Sequence, residues 1–287
     1  MTTSAALSSV PTVAAPTSDH GSTGSPRSSA PGFLTTVGVE ILKMRRLRTP
    51  LITTLIVGTS AALCSMNLFS TSFTAFLHDP SAMPWARLLL MTCFYNAMIG
   101  PILVSVLASR QTDIEHTGSG WNLAATSGLT PGTLCRAKLA ALSLLIVPAV
   151  TVQSLGIIML ARFRGLSVAL DVGPWATYTT LLICVDLATC AYFLWLAAVV
   201  ENQLIVMSTG LLSGFIGIFT LLVPPEIVRW TPWGYYALIT PAARSASTGS
   251  QTAVTYIDVP AGWIAGFLIL TALIFTVVTH RLNRIER

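Results

Sequence analysis

Long apolar runs separated by short polar segments dominate the chain after its first thirty or so residues. A helix needs roughly 20 mainly apolar residues to cross the hydrocarbon core of a bilayer. Six stretches meet this requirement: Leu51–Phe69, Ala86–Ser109, Lys138–Leu160, Pro174–Val200, Gln203–Val223 and Gly262–His280. None shows the alternation with a period of two that is typical of a membrane β-barrel strand. The pattern therefore predicts an all-α, polytopic membrane protein with six transmembrane helices.

A further helix is predicted just before the first span, in residues 32–49. Apolar residues recur there at spacings of three and four: Leu34, Val37, Ile41 and Met44. Glu40 and Lys43 fall on another face, and Arg45 and Arg46 follow. The pattern indicates an amphipathic helix lying in the membrane interface. The alternative is an N-terminal extension of the first span, which the cost of taking these arginines into the bilayer disfavours.

Composition supports the membrane class and separates the N-terminal segment from the rest. Hydrophobic residues make up 53% of the chain and charged residues only 9%, against about 25% charged residues in ordinary soluble domains. Residues 1–31 are instead rich in Ser, Thr, Ala, Pro and Gly, and such a segment buries too little apolar surface to fold. We therefore expect a disordered cytoplasmic tail over residues 1–31, the interfacial helix over 32–49, and a six-helix transmembrane domain over 50–287.

The net charge of +5 comes from basic residues that flank the apolar runs, so it indicates topology and lipid contacts and not a nucleic-acid partner. An N-in, C-in arrangement places most of the flanking cations in the cytoplasm: Lys43, Arg45, Arg46, Arg48, Arg110, Arg136, Lys138, Arg281, Arg284 and Arg287. It leaves fewer outside: Arg87, Arg162, Arg164, Arg229 and Arg244. The five cysteines and four histidines are scattered, so no metal site or disulfide framework is predicted.

The segment between the second and third predicted spans is neither a plain apolar run nor a plain loop. Gly118 and Gly120 interrupt the second helix, and Trp121–Ser127 then forms a short helix that Gly128 ends. Thr130 is a candidate N-cap for the next helix. A short helix held below the membrane in this way is suited to docking in a groove of another subunit. Packing against its own spans is the alternative.

Three short motifs carry a resemblance. The first is Glu40-x-x-Lys43 followed by Arg45-Arg46. The second runs through Glu115, Trp121-Asn122-Leu123, Ser127-Gly128-Leu129-Thr130-Pro131-Gly132 and Ala137-Lys138, and the third is Trp230-Thr231-Pro232-Trp233-Gly234-Tyr235-Tyr236. Together with the six-span layout, they resemble the ABC-2 type transporter permeases, and the closest fit is the small lantibiotic-immunity and bacitracin-export type.

The resemblance implies an exporter that moves an amphipathic substrate, such as a peptide antibiotic or drug, across the cytoplasmic membrane and so supports antibiotic resistance. The short helix would couple to a separate ATP-binding cassette subunit through Glu115, Trp121, Asn122 and Leu123, with Glu201 as a minor contact. This chain has no G-x-x-x-x-G-K-[ST] phosphate loop, so ATP and Mg would bind to that partner. No catalytic residue, metal or cofactor is expected on this chain. A second permease, identical or homologous, would complete the pathway.

Within the spans, Asp186 is a candidate site because a carboxyl group at that depth is costly. A pathway role and a structural hydrogen bond, to Thr180, Thr189 or a partner helix, are equally favoured. Small residues in the fifth span, Gly210, Gly214 and Gly217, indicate close helix packing more than a pathway, as does the pair Gly262 and Gly266. After that span, the aromatic group Trp230, Trp233, Tyr235 and Tyr236 predicts either an external gate or an interfacial aromatic belt.

Other membrane functions stay open at this point. An ion-coupled secondary transporter usually needs more buried ionisable groups than Asp186 alone. A non-transporting scaffold or sensor would also fit the hydropathy. An intramembrane enzyme is the weakest alternative, because the spans offer no second aspartate and no mid-span histidine for such chemistry.

Overall fold

A computed structural model describes residues 32–75, 77–118, 120–245 and 253–285. The predicted N-terminal tail and Arg287 lie outside the described residues, as do the side chains of Asn122 and Arg284. Within the described chain, six helices are long and apolar enough to cross a membrane. They confirm the prediction of an all-α polytopic membrane protein. These helices are α2 (Thr49–Met66), α4 (Pro84–Thr117), α6 (Pro131–Phe163), α7 (Val172–Val199), α8 (Gln203–Thr220) and α11 (Ala261–Ile285).

Shorter elements connect the six long helices. They are α1 (Phe33–Arg46), α3 (Thr71–Thr74), α5 (Gly120–Thr126), α9 (Pro225–Val228) and α10 (Tyr235–Leu238), with 3-10 turns at Asn67–Phe69, Pro80–Ala82 and Pro232–Gly234. The ends of α5 and α6 follow from local chemistry. Gly128 takes a left-handed conformation with φ of 78° after α5, and the Thr130 side chain accepts a hydrogen bond from the Thr133 amide at the start of α6. Both ends agree with the sequence prediction.

The centre of the bundle is α4, which packs against α2, α7 and α8. The three glycines of α8 allow the closest of these contacts. A Cβ atom at Gly214 would meet the Met98 carbonyl, and one at Gly217 would meet the Ala97 carbonyl. Gly210 faces Ser105 in the same way. The glycines therefore let the two backbones approach, as small residues do between membrane helices.

The predicted first helix is present as α1, and its buried face combines apolar and polar residues. Residues Thr36, Val37, Glu40 and Met44 are buried, whereas Leu34 is 83% exposed. The polar Thr36–Glu40 stripe thus faces the protein, where α1 packs against α6. Of the predicted apolar stripe, Val37 and Met44 are buried and Leu34 is exposed. Glu40 is buried beside them because polar partners on neighbouring helices satisfy it. The helix ends in a corner at Leu47 and Arg48, with Arg48 in the left-handed region at φ of 56°.

The segment after α8 contains the short helices α9 and α10, and also a hairpin that the sequence pattern does not predict. Strands β1 (Ala242–Ser245) and β2 (Ala253–Tyr256) pair antiparallel, with Arg244 opposite Val254. Ala242 and Val254 pack with Ala86 of α4 in a small separate apolar cluster. Strands of four residues carry too little alternation to be recognised by pattern, and the packing against α4 determines them.

Candidate functional site

Four charged side chains from three helices meet beside α5. Lys138 of α6 donates hydrogen bonds from Nζ to Glu40 Oε2 at 2.7 Å and to Glu115 Oε1 at 2.8 Å. Lys43 of α1 donates from Nζ to Glu40 Oε1 and to Glu115 Oε1, each at 2.7 Å. We call Glu40, Lys43, Glu115 and Lys138 the charge cluster. It joins α1, α4 and α6 at one point, and it brings together two groups of residues that the sequence motifs place far apart.

Burial makes the charge cluster unusual. The side chains of Glu40, Glu115 and Lys138 are only 1–2% exposed, and that of Lys43 is 30% exposed. Isolated charges at such depth would cost several kcal/mol each. Here two carboxylates balance two ammonium groups, and Gln111 adds further hydrogen bonds. Its side-chain Nε2 donates to Glu40 Oε2 at 2.7 Å, and its backbone carbonyl accepts from Lys138 Nζ at 2.9 Å.

The carboxylates also hold the proton on Lys43. Partial burial acts to lower the pKa of Lys43, but hydrogen bonds from Lys43 to Glu115 and Glu40, with attraction to their charges, together raise it above its ordinary value of 10.5. Lys43 therefore stays charged over the whole physiological range. The charge cluster is neutral as a whole only while this ammonium group remains protonated.

The short helix α5 is attached directly to this region. Gly120, its first residue, lies so close to Glu115 that a Cβ atom there would overlap the Glu115 side chain. Trp121 Nε1 donates to His116 Nδ1 at 3.4 Å. The other ring nitrogen of His116, Nε2, lies 2.8 Å from the Ala197 carbonyl. A neutral histidine protonated on Nε2 satisfies both contacts, so α5 is tied to α4 and to the end of α7.

The outward side of α5 is apolar and uncovered. Leu123 is 73% exposed, and Glu201, which follows α7 at the same end of the bundle, is also exposed. Arg45 and Arg46 are exposed at the end of α1. Of the four residues predicted to mark the interfacial helix, Glu40 and Lys43 belong to the charge cluster. Arg45 and Arg46 are exposed and available for contacts outside the chain.

A second polar site lies inside the bundle. The Tyr236 hydroxyl of α10 donates to Asp186 Oδ1 of α7 at 2.7 Å, and both side chains are buried. Among the hydrogen-bond partners considered for Asp186, which were Thr180, Thr189 or a partner helix, the structure shows a partner on another helix, Tyr236 of α10. Gly100 of α4 makes room for the pair, since a Cβ atom there would lie 2.7 Å from Tyr236 Cε1 and 3.0 Å from Asp186 Oδ1.

A hydrogen-bonded group of polar side chains lies next to this pair. Gln153 Nε2 donates to Asn96 Oδ1 and to Ser60 Oγ, each at 2.9 Å, and Asn96 Nδ2 donates to the Tyr178 hydroxyl at 3.3 Å. A small cavity of about 10 Å³ separates this group from Asp186. Our sequence predictions missed the group, although amide side chains within predicted spans carry the same desolvation cost that singles out Asp186.

The remaining predicted gate residues join the segment after α8 to α7 and α11. Trp233 stacks on Phe193, with ring centroids 5.9 Å apart, and Tyr235 stacks on Phe267 of α11 at 3.9 Å. Trp230 contacts the edge of another tryptophan on α11 and is mostly exposed. The four predicted gate residues therefore separate into one that bonds Asp186 and three that form ring contacts.

Across the described ranges, no group of three or more His, Cys, Asp or Glu side chains is arranged to hold a metal ion. No protein-family model matches the chain, and no curated protein is detectably similar to it. Functional inference therefore depends on the charge cluster, the exposed short helix α5 and the polar groups inside the bundle.

Proposed function

We propose that this chain is the transmembrane permease subunit of an ATP-binding cassette exporter. The single observation that carries the proposal is the construction of α5. It is a short helix fastened to α4 and α7 through Trp121 and His116, and it presents Leu123 outward. A helix held firmly on one side and apolar on the other is suited to a groove on a partner protein.

In the proposed mechanism, a separate ATPase binds α5 and moves it when ATP binds to the ATPase. Because Gly120 rests on Glu115, displacement of α5 reaches the charge cluster directly. The charge cluster connects α1, α4 and α6 by short hydrogen bonds, so those three helices shift together. That coupled shift would switch the opening of a pathway between this chain and a second permease.

The other parts of the proposal rest on the resemblance of the sequence motifs to ABC-2 type transporter permeases. The ATP and Mg sites belong to the partner ATPase, and the second permease is identical or homologous to this chain. The substrate is an amphipathic compound such as a peptide antibiotic or drug, which leaves through the cytoplasmic membrane. Six apolar helices are compatible with this role, and the proposal gains its specificity from α5.

The test is to purify the tagged full-length chain from its native membrane and assay the assembly for ATP hydrolysis. We expect an ATPase with a phosphate loop to co-purify. Leu123→Gln should weaken that association, because it removes the exposed apolar contact. Leu222→Gln is the matched control, since Leu222 is 75% exposed and follows α8 at the opposite end of the bundle. Equal ATPase recovery and equal activity in both variants and the parent would refute the proposal.

One observation favours a second candidate, an ion-coupled secondary transporter. Asp186, Asn96 and Gln153 line the small cavity inside the bundle, and intramembrane carboxyl groups often belong to ion or proton pathways. The two candidates differ in energy source. Uptake or efflux in proteoliposomes that contain this chain alone, driven by a proton or sodium gradient and abolished in Asp186→Asn, would favour the secondary transporter. Dependence on an ATPase would favour the exporter.

A further inference from the structure

An apolar groove of about 920 Å³ lies between α7 and α11 and ends at the α9–α10 segment. Aromatic rings supply much of its wall: Tyr192, Trp195, Trp230, Trp233, Trp263 and Phe267. The outer side of α11 adds apolar residues that the described chain leaves open, such as Ile269 and Leu273. Binding sites for small amphiphiles typically have volumes of about 300–1,000 Å³ with mainly apolar and aromatic walls. We call this feature the α7–α11 groove.

Two glycines on α11 keep the α7–α11 groove open. Gly262 and Gly266 line it, and no described atom that could obstruct a side chain lies within 4 Å of a Cβ position built on either one. The sequence predicts that this pair packs helices closely. Within the described chain it packs against none, in contrast to Gly210 and Gly214 of α8. Because these two glycines carry no side chains, they leave the α7–α11 groove unfilled.

One cation stands at the mouth of the α7–α11 groove. The Arg229 guanidinium lies over the Trp263 ring, 4.7 Å from its centroid, and its Nε donates to the Glu226 carbonyl at 3.1 Å. Among the described residues, no carboxylate forms a salt bridge with it within 4.0 Å. The hydroxyls of Thr231 and Thr271 already donate to backbone carbonyls. Arg229 is thus the charged residue of the groove wall, and no carboxylate of the described chain neutralises it.

We propose that the α7–α11 groove binds an anionic phospholipid, with an acyl chain along α11 and the headgroup phosphate paired with Arg229. An arginine next to a tryptophan belt at the end of membrane helices is the arrangement that lipid phosphates favour. An uncompensated guanidinium specifies an anionic headgroup, whereas the apolar wall specifies only a hydrocarbon chain. The site does not depend on the proposed transport function, because lipid binding requires neither an ATPase nor a substrate.

The test measures lipid retention by the purified full-length chain. Native mass spectrometry compares equal concentrations of phosphatidylglycerol and phosphatidylcholine, and brominated acyl chains report contact by quenching tryptophan fluorescence. We expect phosphatidylglycerol to be retained about fivefold better, the preference that one interfacial cation provides. Arg229→Gln should remove that preference. Arg244→Gln is the matched control, because Arg244 is exposed on β1 near the same end and lies outside the groove.

A second variant tests the acyl chain independently of charge. A Cβ atom at Gly266 meets nothing within 4 Å, so Gly266→Leu places its side chain in the α7–α11 groove without a clash at the backbone. The change also improves helix propensity, so the protein should remain folded. It should reduce retention of both lipids and weaken quenching by brominated chains. Equal retention of the two lipids by the parent, or retention unchanged by both variants, would overturn the proposal. So would a dimer that Gly266→Leu dissociates while lipid retention stays constant, because a second copy would then be the occupant.

Discussion

Replacing Lys138 with methionine tests the energetics of the charge cluster. The change removes three hydrogen bonds, to Glu40, Glu115 and the backbone carbonyl of Gln111, at 2.7, 2.8 and 2.9 Å. Two carboxylates that are almost fully buried then share the single ammonium of Lys43. Removing one partner from a buried ion pair typically costs about 3–5 kcal/mol, because the remaining charge is stranded. We expect Lys138→Met to lower the free energy of unfolding by an amount in that range.

Two comparisons make the prediction sharper. Lys43→Met removes a cation with the same carboxylate partners, but the site is 30% exposed, and water reaches it, so we expect a loss of about 1–2 kcal/mol. Glu115→Gln combined with Lys138→Met restores charge balance between Glu40 and Lys43. The double variant should therefore be more stable than the sum of the single effects implies, by about 0.5–3 kcal/mol.

The assay is equilibrium unfolding by sodium dodecyl sulfate in mixed micelles, followed by circular dichroism of the helices. The order of stability should be parent, Lys43→Met, then Lys138→Met. The idea of a tightly coupled charge cluster would be refuted in either of two cases. The free energy of unfolding of Lys138→Met could lie within 1 kcal/mol of the parent value, or the losses in the double variant could be strictly additive.

Three further outcomes are expected in the same assay. Tyr236→Phe leaves Asp186 without its hydroxyl donor and should cost about 1–3 kcal/mol; an unchanged midpoint would contradict the assigned hydrogen bond. Gly214→Ala inserts a methyl group against the α4 backbone and should cost about 1–3 kcal/mol, whereas Gly58→Ala, with open space at its Cβ, should be neutral or stabilising; equal effects would argue against close packing of α8. Because the pKa of Lys43 is raised above 10.5, its stabilising contribution is complete below that value and is lost as pH rises through the raised pKa. The stability difference between the parent and Lys43→Met should therefore be constant from pH 7 to 9 and shrink at strongly alkaline pH, and a difference that shrinks already near neutrality would disprove the assignment.

The helices of this protein are predictable from sequence because each is specified by its own residues. Apolar runs of sufficient length define the six spans. Thr130 and Gly128 define the boundaries of α5 and α6 through local capping chemistry. Pro101 and Pro148 lie inside α4 and α6 without ending them, since neighbouring helices can satisfy the freed backbone groups in a membrane protein. For these elements, knowledge of the tertiary partners adds little.

The contacts between distant segments are not predictable in this way. Periodicity places Glu40 on the polar face of α1, yet Glu40 is buried because Lys138, nearly one hundred positions along the chain, pairs with it. The partner of Asp186 is Tyr236, fifty positions away. Both pairs were present in the sequence as separate conspicuous residues. Their pairing depends on how the helices pack, which no local pattern encodes.

Helix α11 is fastened near its two ends and little in between. At one end, the Gly132 amide donates to Asn283 Oδ1 at 2.8 Å, and Arg136 Nε donates to Thr279 Oγ1 at 3.0 Å. Nearer its other end, Phe267 stacks against the ring of Tyr235. The helix is thus attached at two places roughly 18 Å apart. Between Phe267 and Thr279, no hydrogen bond joins it to another described helix, so a small change in its curvature would alter the width of the adjoining cleft without breaking either attachment.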